Sequence, residues 1–167
     1  LGERGIEATT GPLGQGFAMA VGMAMAEKHM AAVYNRPGFP VFDNYTFALM
    51  GDGCMMEGIT GEAASIAGNL KLNKLIAIYD SNRITIEGST DITFTENVEM
   101  RYKAYGWSVI KVMDGEDIDA IRAAIAKAKR SKDKPTLIIV HTNIAQGTPK
   151  QGLASSHGSP LGQDNID

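Results

Sequence analysis

Two oxygen-bearing side chains carry the first chemical hint. Asp52 stands between two glycines in Gly51-Asp52-Gly53, and Asn82 lies thirty residues further on. Each follows an apolar run with strand character, Tyr45 to Met50 for the first and Lys74 to Tyr79 for the second. A carboxylate and an amide oxygen are hard donors, suited to Mg²⁺ or Ca²⁺. Mg²⁺ is commonly held by one or two protein groups, with phosphate oxygens and water filling its other positions. The flanking glycines leave the backbone open to a phosphate. A helix starting near Glu57-Gly58 would aim its first amides at an anion. Alone, either feature is an ordinary turn, because Asp-Gly and Asn are common turn residues. Side by side at successive strand ends, they form a candidate metal and phosphate site.

The elements that must position them alternate in type. Gly14 to Tyr34 reads as a helix, with Phe17, Val21, Met25 and Ala32 along one side and small apolar residues around the rest. A helix apolar all round is expected to be buried. Asn35 to Gly38 reads as a turn, and Gly58 to Lys71 as a second helix. The continuous apolar run Lys74 to Tyr79 suits a strand covered on both faces. Glu96 to Tyr105 reads as a helix and Trp107 to Met113 as a strand. Asp117 to Ser131 is an amphipathic helix, with Ile118, Ile121, Ile125 and Ala128 inward and Asp114 or Glu116 as its expected cap. Thr136 to His141 closes the set as a strand, and a long loop runs from Ala145 to Asp167. Strands alternating with helices predict an α/β fold, an open and mainly parallel sheet with helices on both faces. In such sheets ligands bind at the carboxyl ends of the strands, where Asp52 and Asn82 fall.

Composition excludes other classes. The 167 residues suit one domain, with 44% hydrophobic and 21% charged residues, an ordinary globular balance. A net charge of −3 argues against a nucleic-acid surface. The longest purely apolar run, Phe17 to Ala26, is shorter than the ~20 residues a membrane span needs. Cys54 is the single cysteine, so no intrachain disulfide or Cys-rich zinc site can form; this fits a cytoplasmic protein. Cys54 itself reads as a packing residue. His29, beside Glu27 and Lys28, reads as surface, and His141 as structural. The chain starts at Leu1 rather than Met and reads as a domain incomplete at both ends.

Several segments together resemble one family. Gly51-Asp-Gly-Cys-Met-Met-Glu-Gly58, followed by Leu70-Lys-Leu-Asn-Lys-Leu-Ile-Ala-Ile-Tyr-Asp-Ser-Asn82, is similar to the thiamine-diphosphate motif of transketolases. Thr10-Gly-Pro-Leu-Gly-Gln-Gly16, Lys132-Asp-Lys-Pro-Thr-Leu137 and His157-Gly-Ser-Pro-Leu161 resemble further transketolase signatures, in the right order. The resemblance covers almost the whole chain. It implies that residues 1–167 are a single diphosphate-binding domain. Such a domain serves transfer of a two-carbon ketol unit between sugar phosphates in the cytoplasmic pentose phosphate pathway.

The resemblance also assigns residues. Asp52 and Asn82 would hold Mg²⁺ or Ca²⁺ through their side chains, and Ile84 through its carbonyl. Asn82 and Gly53 would contact the diphosphate. Gly11, Pro12 and Leu13 would line the ring end of thiamine diphosphate. His157 would reach both diphosphate and substrate, and Glu57 would join a carboxylate network toward a neighbouring site. A homodimer, or a partner carrying the pyrimidine-binding domain with its ring-contacting glutamate, is implied as well. The histidines that precede the first signature in the family have no counterpart here. Without that glutamate the isolated chain is expected at most to bind cofactor weakly and to lack activity. A split transketolase, a dihydroxyacetone-synthase-like relative and a non-catalytic remnant share these motifs. Two departures stand out. Ser81 and Arg83 flank the metal Asn where the family often has an acid and a small or basic residue, and are expected to have no ligand role, and Ala145-Gln146-Gly147 replaces a Gly-aromatic-Gly loop near the cofactor.

Overall fold

The computed structural model describes residues 5–163; the two ends of the expected domain, 1–4 and 164–167, lie outside the described residues. Helix α1 spans Gln15–Tyr34 and strand β1 Thr46–Gly51, followed by the short helix α2, Asp52–Met56, and by α3, Gly58–Asn69. Strand β2 is Leu75–Ser81, and β3 (Ile84–Thr85) with β4 (Gly88–Ser89) forms a small antiparallel hairpin. Helix α4 is Val98–Ala104, β5 Ser108–Val112, α5 Ile118–Ala128 and β6 Thr136–His141.

The four longer strands form one parallel sheet in the order β1-β2-β6-β5. The last strand inserts between β2 and β5, so β2 and β6 are central. Their sequences explain this. The Leu75-Ile-Ala77 start of β2 and all of β6 up to Val140 are buried, as strands covered on both faces should be. Strand β1 lies at an edge and alternates instead, with Thr46, Ala48 and Met50 inward and Phe47 and Leu49 outward.

Helices lie on both faces, as expected for the α/β class, but unevenly. On one face α1, α3 and α4 pack Phe17, Val21, Ala64 and Tyr102 against Ala48, Ala77, Tyr79 and Leu137. On the other, α5 sets Ala124 and Ala128 against Ile76, Ile138 and Val140. That second layer does not reach β1, and Leu49 is 80% exposed.

Three expectations need correcting. Helix α1 is not buried all round: Phe17, Ala20, Val21 and Ala24 pack inward, while Met25, predicted inward, is 42% exposed and Ala32 is exposed too. Only one side of α1 faces the sheet and α3; the described residues place nothing over the other. Its one charged inward residue, Glu27, is buried with its carboxylate 2.6 Å from Lys74 Nζ. Helix α5 is capped by Asp117, whose side chain accepts from the Ala120 amide at 2.9 Å; Asp114 instead accepts from the Glu116 amide in the preceding turn, and Glu116 caps nothing. Ile118 therefore sits at the first, solvent-facing turn and is 55% exposed.

Helix α3 passes close to the turn after α4. A Cβ on Gly68 would lie 1.8 Å from the Tyr105 carbonyl oxygen, and nearby the Trp107 indole donates to the Ala64 carbonyl at 2.8 Å. A backbone atom cannot yield as a flexible side chain can. Gly68→Ala is therefore expected to destabilise the fold by about 3 kcal/mol, the upper end for overpacking. Gly22→Ala, inside α1 with nothing within 4 Å of its Cβ position, is expected to stabilise it by roughly 0.5–1 kcal/mol. Urea unfolding of the two variants tests this; equal effects would remove the packing argument.

Candidate metal and cofactor site

Parallel pairing in register brings the chemistry to one sheet edge. Gly51 of β1 lies opposite Asp80 of β2, and Ser81 of β2 opposite His141 of β6. Asp52 and Asn82, each one step beyond its strand, consequently leave the sheet together. The helix that follows β1 at once is α2, with Asp52 as its first residue. A helix does start at Gly58, as expected, with the exposed Glu57 just before it, but α2 comes between it and β1.

Asp52 is only 4% exposed, and three donors hold its carboxylate. The Tyr79 phenol donates to Oδ1 at 2.5 Å, and the backbone amides of Asn82 and Arg83 donate to Oδ2 at 3.1 and 2.9 Å. Burial pushes the Asp52 pKa above the usual carboxylate range despite those hydrogen bonds, which oppose the shift. The same contact and burial push the Tyr79 phenol above its ordinary range. Asn82 directs its amide oxygen back to the Ile84 amide at 2.9 Å, which fixes that oxygen at the edge.

A cleft of about 410 Å³ opens here, lined by Leu13, Asp52, Gly53, Asn82, Ile84 and His157 among others. Six of the residues singled out in the sequence are thus brought together. Leu13 reaches it because the loop before α1 folds onto the end of β1: a Cβ on Gly53 would sit 3.0 Å from Leu13 Cδ1. His157 follows a 3₁₀ turn, Ala154–Ser156, and is exposed at the opposite wall. Gly11 and Pro12 are exposed on the approach to α1 and do not line this cleft, nor does Glu57.

Some contributors were not legible beforehand. Tyr79 was read only as part of a strand. Arg83, expected to have no ligand role, supplies its backbone amide to Asp52 and has a left-handed backbone with φ 62°. Asp80 also lines the cleft and accepts a hydrogen bond from the Thr142 hydroxyl. Cys54 lines the cleft and packs against the core, in keeping with a packing role. A second cavity of about 340 Å³ lies behind Asp52, with Tyr79, Ser81, Arg83, Lys111 and His141 in its walls. Burial, with Arg83 and Lys111 adding to it, holds the His141 imidazole below the usual histidine range.

The donor set is one carboxylate and neutral oxygens. Among the described residues no group of three or more His, Cys, Asp or Glu could hold a metal. Such a set leaves most positions of a six-coordinate cation for phosphate oxygens and water, which fits Mg²⁺ beside a diphosphate.

Comparison with known proteins bears on the diphosphate part of this reading. The family model described as the thiamine diphosphate binding domain of transketolase matches residues 2–167. The chain is 58% identical to a transketolase of Streptococcus pyogenes over 97% of its own length and 22% of that protein's. It is also 58% identical to transketolase 1 of Saccharomyces cerevisiae, over 97% of this chain and 24% of that one. Among solved structures, transketolase from Leishmania mexicana superposes with a TM-score of 0.94 at 53% identity, over 97% of this chain and 24% of that one. The chain therefore spans about a quarter of the length of these relatives.

Ile144, just before the Ala145 loop, lines the cleft. Ala145 has φ 55°, a left-handed conformation that costs an L-residue roughly 1–2 kcal/mol. Its carbonyl accepts from the Thr148 amide at 3.2 Å and hydroxyl at 2.9 Å, which holds the turn in place. Ala145→Gly is expected to stabilise the chain by about 1 kcal/mol in chemical denaturation, part of the relief being offset by a freer unfolded chain. Gly14→Ala is the opposite case, with φ 77° and a Cβ position 2.7 Å from Ile59 Cγ2, and should destabilise. An unchanged or lower stability for Ala145→Gly would show that the turn carries no strain.

Proposed function

This chain belongs to the transketolase family, as its thiamine-diphosphate-binding domain, and on that premise we propose that it forms the diphosphate and metal half of a transketolase active site. The observation that carries the reading is the meeting of Asp52, Asn82 and Ile84 at one sheet edge, in one cleft with Gly53 and His157.

In this reading Asp52 and Asn82 hold Mg²⁺, or Ca²⁺ in its place, through side-chain oxygens, and Ile84 through its carbonyl. The amide of Gly53 and the side chain of Asn82 receive the diphosphate. Thiamine diphosphate, when bound, supplies the carbon nucleophile that carries the two-carbon ketol unit; the protein holds, orients and tunes it. Leu13, with Gly11 and Pro12 on the same loop, covers the apolar ring end and keeps water from it. His157, exposed on the opposite wall, is placed to donate a proton or hydrogen bond to diphosphate or sugar phosphate. Glu57, facing outward beside Gly14, is available to a carboxylate network with a neighbouring subunit.

The remainder of the chemistry is assigned to protein beyond these 167 residues. A partner surface carrying the pyrimidine-binding domain, in a homodimer or a companion chain, completes the site. The whole transfers ketol units between sugar phosphates in the pentose phosphate pathway, in the cytoplasm. The half-exposed apolar helix α1 supports the expectation of a partner.

Binding is the direct test. A ligand at one hundred times its Kd stabilises the folded state by about 2.7 kcal/mol. For a chain of this size that is a rise in Tm of roughly 5–10 °C. Thiamine diphosphate with Mg²⁺ should raise the melting temperature, neither alone should do so as fully, and Asp52→Ala should abolish the shift. The purified chain should show no ketol transfer. Absence of any cofactor-dependent shift would favour a non-catalytic remnant, and robust turnover would overturn the half-site reading.

A further inference from the structure

The Tyr79–Asp52 hydrogen bond does more than satisfy a buried phenol. An ionised carboxylate offers about four acceptor positions on its two oxygens. In Asp52 the Asn82 and Arg83 amides occupy both positions on Oδ2, and the Tyr79 hydroxyl occupies one on Oδ1. One acceptor position remains, on Oδ1. Asp52 borders both cavities; Tyr79 and Arg83 line the second, and Asn82 and Ile84 line the cleft. Oδ1 thus keeps one acceptor position on a residue that borders the cleft. At 2.5 Å the contact is in the range of a charge-assisted O–H···O⁻ bond, which is strong and directional.

We propose that Tyr79 is a positioning residue that holds Asp52 as a one-oxygen ligand, fixing both the affinity and the size preference of the cation site. The inference rests on the metal-site reading above. A carboxylate held at three positions cannot turn to present both oxygens. One-oxygen binding suits a small octahedral cation, whereas two-oxygen binding is open to Ca²⁺ with its longer bonds and flexible coordination. Removing the phenol hydroxyl leaves the carboxylate held only through the two amides on Oδ2, so Oδ1 loses its fixed direction, which a strict octahedral ion needs more than a flexibly coordinated one does. The approach of Mg²⁺ should suffer most, and that of Ca²⁺ less. The sequence gives no sign of this role, because a tyrosine within a buried apolar run reads as core.

The test compares the intact protein with its Tyr79→Phe and Asp52→Ala variants. Mg²⁺ and Ca²⁺ dissociation constants are measured by titration calorimetry with thiamine diphosphate present, and folding is checked by melting without metal. Outer contacts of metal ligands typically govern 10–100-fold in affinity. Tyr79→Phe should weaken Mg²⁺ binding by about that factor and Ca²⁺ binding by less, moving the Mg²⁺/Ca²⁺ ratio toward Ca²⁺. Unchanged constants, or equal weakening for both ions, would overturn the proposal and leave Tyr79 a packing residue. If Asp52→Ala still binds both ions as the parent does, the metal site itself is misplaced, a result distinct from failure of the tyrosine alone. If Tyr79→Phe fails to fold, Tyr79→Leu, smaller and without any donor, takes its place and must give the same ratio change.

Discussion

A carboxylate removed from water is the constraint around which the other features of this molecule arrange themselves. Asp52 is nearly buried, and burial is costly for a charge unless donors or a cation answer it. Its three donors come from β2 and from the two residues just after it, so β1 and β2 must be adjacent, parallel and in register for the group to be satisfied. Desolvation still outweighs those hydrogen bonds, as the raised pKa of Asp52 indicates. The buried, hydrogen-bonded carboxylate thus stands where a divalent cation is proposed to bind.

The core is organised to keep that edge rigid. Tyr79 is anchored between β1 and β6 and packs in the same cluster as Tyr102, Met55 and Trp107. Met55 sits in α2, one turn beyond Asp52, and its sulfur receives the Tyr102 hydroxyl at 3.4 Å. The carboxylate is therefore fixed from two directions, through β2 by its hydrogen bonds and through α2 by core packing. A one-turn helix has little stability of its own. Met55, with no exposed surface, ties α2 to the sheet.

The parts of this arrangement that were legible in the sequence share a physical cause. Apolar runs bounded by turns mark central strands, and the limits of β6 match the run Thr136 to His141. Asp52 and Asn82 were legible because side chains that leave a parallel sheet at its carboxyl edge are few and polar. What escaped was decided by tertiary contacts. Met25 and Ile118 have the right period but fall where no second layer reaches. Asp117 took the cap role because its side chain, three residues before Ala120, meets a free amide, whereas Asp114 is spent in its own turn. Helix α2 and the β3–β4 hairpin are too short for any periodicity to register. The amide of Arg83 and the phenol of Tyr79 act through geometry that no residue type announces.

The uncovered surfaces bear on how the cleft is completed. Helix α1 presents Met19, Met23 and Val33 outward, each 40–48% exposed, on the side away from Phe17 and Ala24. Contiguous apolar surface of this kind marks an interaction site more often than bare solvent contact. The helix begins at Gln15, directly after Leu13 and Gly14, and Leu13 is itself a wall of the cleft. At 1.5 Å per residue, about 6 Å of helix separates Gln15 from Met19. Whatever covers the α1 stripe would therefore arrive at the mouth of the cleft as well. Gly14, where a Cβ would meet Ile59 and Thr60, lets the loop lie close against α3. One short loop thus links the exposed side of an apolar helix to the wall of a polar cleft.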